Sequence, residues 1–186
     1  MIGPAEPRRF VLLDGIVFVA ATAVGLTLAR QIDLDWSFPQ FPRQPRRGLV
    51  MLHVALLHVA VVLVCEAAAV AACGLIPPDS GRRLRLRGPG LIACLCVSVY
   101  APATWGFYVA MPHLGLNTGY HTGGLLYSWL GRSAAAVTLC WSTLLLTGGW
   151  RTEPSWPDRA GRALAFAFIG LEMLSWAWLI CVWTIG

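Results

Sequence analysis

The chain has 186 residues, of which 57% are hydrophobic and 12% charged, about half the charge of an average soluble domain. The apolar residues come in long blocks rather than an amphipathic stripe, which excludes an ordinary water-soluble domain. The net charge is +5, but all the basic residues are arginines placed at block ends, where they act as topology signals and headgroup contacts; no nucleic-acid motif accompanies them.

The expected fold is all-α and membrane-integral: a bundle of five transmembrane helices with short loops, forming one domain over residues 1–186. The first span is residues 10–29, after a polar segment ending in Arg8-Arg9. A basic start and an apolar run also describe a secretory signal, but Asp14 breaks its apolar core and more spans follow, so an uncleaved helix is expected. Asp14 lies close enough to Arg8 or Arg9 to pair near the interface. Ala21, Gly25 and Ala29 recur every four residues, a small-residue face that lets another helix approach, within the chain or on a membrane-protein partner. The stretch RRFVLLDGIVFVAATAVGLTLAR resembles the first span of uncharacterised polytopic membrane proteins of GC-rich bacteria. That resemblance implies an integral membrane protein and carries no activity with it.

Residues 30–47 form a connection in which Pro39, Pro42 and Pro45 share the period of a stiff polyproline spacer. The second span, residues 48–76, is about 42 Å long at 1.5 Å per residue, against a hydrocarbon core of roughly 30 Å. It carries His53, His58 and Glu66 inside its apolar run. Pro77-Pro78 ends it, and Arg82, Arg83, Arg85 and Arg87 form the densest basic cluster. The third span, residues 90–111, is uncharged and holds Pro102, which should kink it. Residues 112–132 hold His113 and His121 and read as a loop with a short interfacial helix over 125–130. The fourth span is residues 133–150. Ser155 then caps a new helix with Asp158 three residues on, and the fifth span, 157–185, holds Glu172. Trp176, Trp178 and Trp183 suit an aromatic belt at the far interface. The six cysteines all fall inside apolar blocks without zinc-like spacing and read as small apolar filler.

Five spans put nine arginines on the side of the N-terminus and five on the other. The expected location is a bacterial inner (cytoplasmic) membrane, N-terminus inside and C-terminus outside. All four histidines then fall in or near the outer leaflet. His53 and His58 are about 140° apart on their helix, so a metal site would need one of them with His113 or His121. Glu66 and Glu172 both fall at roughly 15 Å depth, where a carboxyl must be protonated, paired or hydrated. The favoured reading is a structural or accessory subunit of a membrane complex, with the lipid bilayer and other membrane proteins as partners and no cofactor. Two readings compete. One is a proton-coupled transporter or channel using Glu66 and Glu172, with His58 and Asp14 as further intramembrane polar groups. The other is a membrane protein binding haem or a transition metal through His53, His58, His113 or His121. No known catalytic or nucleotide-binding motif is present, so no enzyme activity is expected.

Overall fold

A computed structural model describes residues 10–30, 47–75, 88–110, 122–150 and 155–185. These fold into five α-helices: α1 (Leu12–Arg30), α2 (Arg47–Leu75), α3 (Pro89–Ala110), α4 (Thr122–Leu146) and α5 (Trp156–Ile185). Three segments are long and apolar enough to cross a membrane by length and composition: Leu12–Arg30, Val54–Leu75 and Trp156–Trp178. The apolar runs of the other two helices are shorter, Pro89–Thr104 and Arg132–Leu146.

Each helix starts or stops for a local reason. Val11 is the cap of α1, and its backbone N–H donates back to Asp14 Oδ2 at 3.1 Å, the reciprocal half of a capping box. The Gly88 carbonyl accepts the first intrahelical bond of α3, from Ile92 N at 3.1 Å. Pro89 therefore sits at the first helical position, where its missing N–H costs nothing. Pro102 lies inside α3, which runs on through it. At the end of α4, Gly148 turns the chain at φ +66°, and Trp150 N–H returns to the Leu144 carbonyl at 3.0 Å.

The helices differ from the sequence-based spans most at α4. It begins at Thr122 rather than at residue 133, and it ends at Leu146. Residues 125–130, expected as a separate interfacial helix, are its first turns. The glycines Gly123 and Gly124 argued for a loop, but the apolar run that follows is continuous with the next helix, and one long helix satisfies its own backbone where a break would not. The aromatic belt also changes. Trp176 is exposed, but Trp178 is 4% exposed and points into the bundle.

The core lies between α2, α3, α4 and α5. Leu57, Ala60 and Val70 from α2 meet Ala93, Cys94 and Val97 from α3, Val137 and Trp141 from α4, and Ala165 and Phe168 from α5. Most of these side chains are small, so the helices approach closely. α1 lies outside this core, along α2, and reaches α5 through Phe10 and Phe18, whose rings stand 5.2 and 5.7 Å from that of Trp156.

Candidate functional site

Two polar constellations stand out, one at an end of the bundle and one inside the α1–α2 seam. The first is built where the start of α3 crosses the start of α5. Side chains on Gly90 or Gly161 would collide with backbone: a Cβ on Gly90 would lie 2.7 Å from Arg162 N and closer still to the Asp158 carbonyl. Glycine is thus required at both positions for the helices to touch main chain to main chain. The contact buries Asp158 to 1% exposure. Its Oδ1 accepts from Gly90 N–H at 2.8 Å, and its Oδ2 pairs with Arg162 Nε at 3.3 Å. An anion at a helix N-terminus meets unsatisfied N–H groups and the positive end of the dipole. Beside it, the Trp141 indole N–H donates to the Pro89 carbonyl at 3.0 Å, and the Trp150 and Phe166 rings pack edge-on at 5.4 and 5.1 Å. Asp158, expected from the sequence in the cap of its own helix, ties α5 to α3.

The second constellation centres on Glu66. α1 and α2 run antiparallel, and Gly25 rests on Val62, where an added Cβ would lie 2.8 Å from the Val62 Cα and 3.4 Å from the Cys65 Cβ. Gly25 and Ala29 of the small-residue face are buried, so that face is used inside the chain. One turn before Gly25, Thr22 presents its hydroxyl to Glu66, and Thr22 Oγ1 and Glu66 Oε1 are hydrogen-bonded. Thr22 Oγ1 also lies 3.0 Å from the Phe18 carbonyl of its own helix. Glu66 Oε2 is buried and has no hydrogen-bond partner among the described residues. The carboxyl sits about 13 Å along α2 from its C-terminal end, at ~1.5 Å per residue.

Glu172 lies on the shoulder of α5, between the buried Leu171 and the exposed Met173. Trp176, one turn on, hydrogen-bonds its carboxyl, and Oε2 is again buried without a partner among the described residues. Levels along the bundle follow from the contacts at its end, where Gly74 meets Leu91 and Gly90 meets Gly161. Measured from there, Glu66 is about 12 Å and Glu172 about 16 Å deep, at ~1.5 Å per residue. They lie within roughly one turn of each other but are held by different groups, Thr22 and Trp176. Each carboxyl thus has its own partner on a neighbouring turn or helix rather than the other carboxyl.

The remaining candidates are dispersed. Asp14 is buried to 1% and bonds the Val11 N–H; Arg8 and Arg9 lie outside the described residues. His58 Nδ1 is 2.7 Å from the Val54 carbonyl, a bond within α2 that leaves Nε2 as the outward nitrogen. His113 and His121 lie outside the described residues, as does the side chain of His53. Among the described residues no three His, Cys, Asp or Glu side chains gather as a metal site would require. Cys96 of α3 and Cys140 of α4 meet with their sulfurs 3.2 Å apart, and both are free thiols.

Sequence reasoning missed Thr22, the two-helix role of Asp158 and the Cys96–Cys140 pair. For Thr22 a signal existed, since it sits three residues before Gly25, beside the small-residue face. For the other two it did not, because only the crossing of distant helices creates them. Comparison with family models, with curated proteins and with solved structures gives no match.

Proposed function

We propose that this chain is an integral protein of a bacterial cytoplasmic membrane that crosses the bilayer five times and serves as a structural or accessory subunit of a membrane complex. One observation carries the membrane reading. Large apolar side chains face outward along α1, with Leu12 82% exposed and Ile16, Val19 and Leu26 more than half exposed, while Asp14, Asp158, Ser133 and Ser175 are buried. Apolar outside with polar inside inverts the arrangement water selects and suits lipid as the solvent. Exposed Leu139 and Leu146 on α4, and Phe166, Met173 and Ile180 on α5, extend the same surface around the bundle. The excess of arginines on the N-terminal side supports an N-terminus in the cytoplasm.

The accessory reading is supported by what the interior polar groups do. Asp158 joins α5 to α3, Trp141 joins α4 to α3, and Thr22 joins α1 to α2; these groups hold helices together. The tests are extraction and purification. The chain should remain in the membrane pellet at alkaline pH, and a reporter at the N-terminus should be protected in intact cells while one at the C-terminus is reachable. The tagged chain should leave its native membrane in mild detergent in a fixed ratio with other membrane proteins. Recovery as a lone species that moves protons in liposomes would overturn the accessory reading.

A second reading, a proton-handling membrane protein, is favoured by one specific observation: Glu66 and Glu172 each keep a buried oxygen with no hydrogen-bond partner among the described residues. Carboxyls so placed are the usual parts of intramembrane proton pathways. Glu66→Gln and Glu172→Gln would both abolish proton flux in liposomes if this reading holds.

A further inference from the structure

We infer that Cys96 and Cys140 form a redox-active dithiol that opens to the lipid and is oxidised to a disulfide by a lipid-soluble quinone. The inference rests on the membrane reading above, since it takes lipid as the medium against the outer side of α3 and α4.

The pair is unlike the other cysteines. Cys73 and Cys94 are buried, which suits the filler role expected from the sequence. Cys96 and Cys140 are each half-buried, and their sulfurs meet across two helices at 3.2 Å, with either thiol able to donate to the other. A disulfide needs the sulfurs about 1.2 Å closer, at ~2.05 Å. Rotation of two short side chains supplies a movement of that size, so the helices need not separate or turn.

Position decides what can reach the pair. Val97, next to Cys96, and Val137, one turn before Cys140, are in the core. Val99, one turn after Cys96, and Leu139, next to Cys140, are each 69% exposed. The sulfurs thus stand where the core meets the outer face, and that face is apolar. Both lie inside the apolar runs Pro89–Thr104 and Arg132–Leu146, with Cys96 ~10 Å along α3 from Pro89. A charged, water-soluble disulfide would have to enter lipid and meet a thiolate there, and a charge in that place is costly. A quinone dissolves in lipid and accepts electrons and protons together. In the reaction both S–H bonds break and one S–S bond forms. The two electrons and two protons pass to the two quinone oxygens, giving the quinol, and no charge is left in the apolar layer. The bond joins α3 to α4.

The test uses the reduced full chain in lipid nanodiscs, without oxygen, with decylubiquinone as the probe. The chain should lose two of its six thiols to later maleimide tagging, one quinol should appear per chain, and peptide mapping without reductant should join Cys96 to Cys140. Cys96→Ser and Cys140→Ser should each abolish the quinol and the joined peptides, whereas Cys65→Ser should keep both. Oxidised glutathione at the same concentration should act slower by on the order of tenfold or more. The inference is overturned if all six thiols survive the quinone, if a quinone adduct forms on either cysteine, or if oxidised glutathione acts as fast. The peptide map of the wild type decides the matter even if the serine variants fail to fold. Alkaline extraction separates the failures: release from the membrane sinks the membrane reading, whereas retention with the thiols intact sinks this inference alone.

Discussion

The α3–α5 crossing and the α1–α2 seam are built from the same parts, a glycine and a carboxyl, and they treat the carboxyl in opposite ways. At the crossing, Gly90 and Gly161 bring backbone against backbone, and Asp158 receives an N–H and an arginine. At the seam, Gly25 brings α1 onto Val62, and Glu66 receives one hydroxyl. The difference follows from position. Helix ends offer free N–H groups and the dipole, which can hold a charge. Helix middles offer only side chains, because their backbone groups already bond each other. A carboxyl at an end can stay ionised and act as a clamp, whereas one in the middle must be neutral or be given a partner.

That contrast is broken most severely at the crossing. Gly90→Leu places a side chain where the Asp158 and Arg162 backbone already lies. Overpacking a core costs about 1–3 kcal/mol when side chains can yield; main chain cannot, so the cost should exceed that range. No folded protein should be recovered in a size-exclusion profile from membranes, and a wild-type peak at wild-type yield would show that the helices do not meet here.

Removing the clamp rather than the contact should cost less. Asp158→Ala leaves Gly90 N–H without its acceptor and Arg162 without its ion-pair partner, a loss of about 1.5–3 kcal/mol for a hydrogen bond to a charged group. Asp158→Asn keeps an oxygen for Gly90 but sets an uncharged amide against the guanidinium, and should fall between. Thermal unfolding in detergent would read both. Equal stability of the wild type and the alanine variant would mean that the crossing is held by packing alone.

Gly25→Leu should separate the two regions. The new side chain meets the Val62 Cα at the seam, so α1 must shift, at about 1–3 kcal/mol. The four-helix core should be kept, because α1 supplies none of its buried residues and only Phe18 of α1 packs against it. The Cys96 and Cys140 sulfurs, 3.2 Å apart between α3 and α4, provide the control. Mild oxidation should join them as readily in Gly25→Leu as in the wild type, and not at all in Cys96→Ser. Loss of that crosslink in Gly25→Leu would make α1 part of one cooperative unit.

How much of this could be read from the sequence follows from the same distinction. Long apolar blocks with arginines between them set out five helices, and four of the five begin within two residues of the expected place. The small-residue face of α1 was legible because its period lies within one helix. The start of α4 was not, because Gly123-Gly124 weakens a local reading without breaking a helix whose later turns are supported by packing. Glu66 and Glu172 announced themselves as ionisable groups in apolar runs, but their partners Thr22 and Trp176 did not: a threonine or tryptophan in such a run is ordinary until a neighbour is placed against it. Asp158 was misread for the complementary reason. Its local pattern, three residues after Ser155, explains it fully as a cap, and nothing nearby in sequence announces Gly90.

The smallest effect should come from Thr22→Val. The substitution keeps the shape and removes the one hydroxyl that Glu66 touches. A hydrogen bond between membrane helices contributes about 0.6 kcal/mol on average. The loss should stay near that average, roughly 1 kcal/mol at most, read as a melting shift of about 2–4 °C per kcal/mol for a chain of this size. Glu66→Gln keeps an oxygen that can accept from the Thr22 hydroxyl, so it should melt close to the wild type, and the Thr22→Val, Glu66→Gln double variant should lose no more than Thr22→Val alone. A larger loss in Thr22→Val would mean that the seam, like the crossing, is held chiefly by its polar contact, whereas no loss at all would leave its stability to the approach of Gly25 onto Val62.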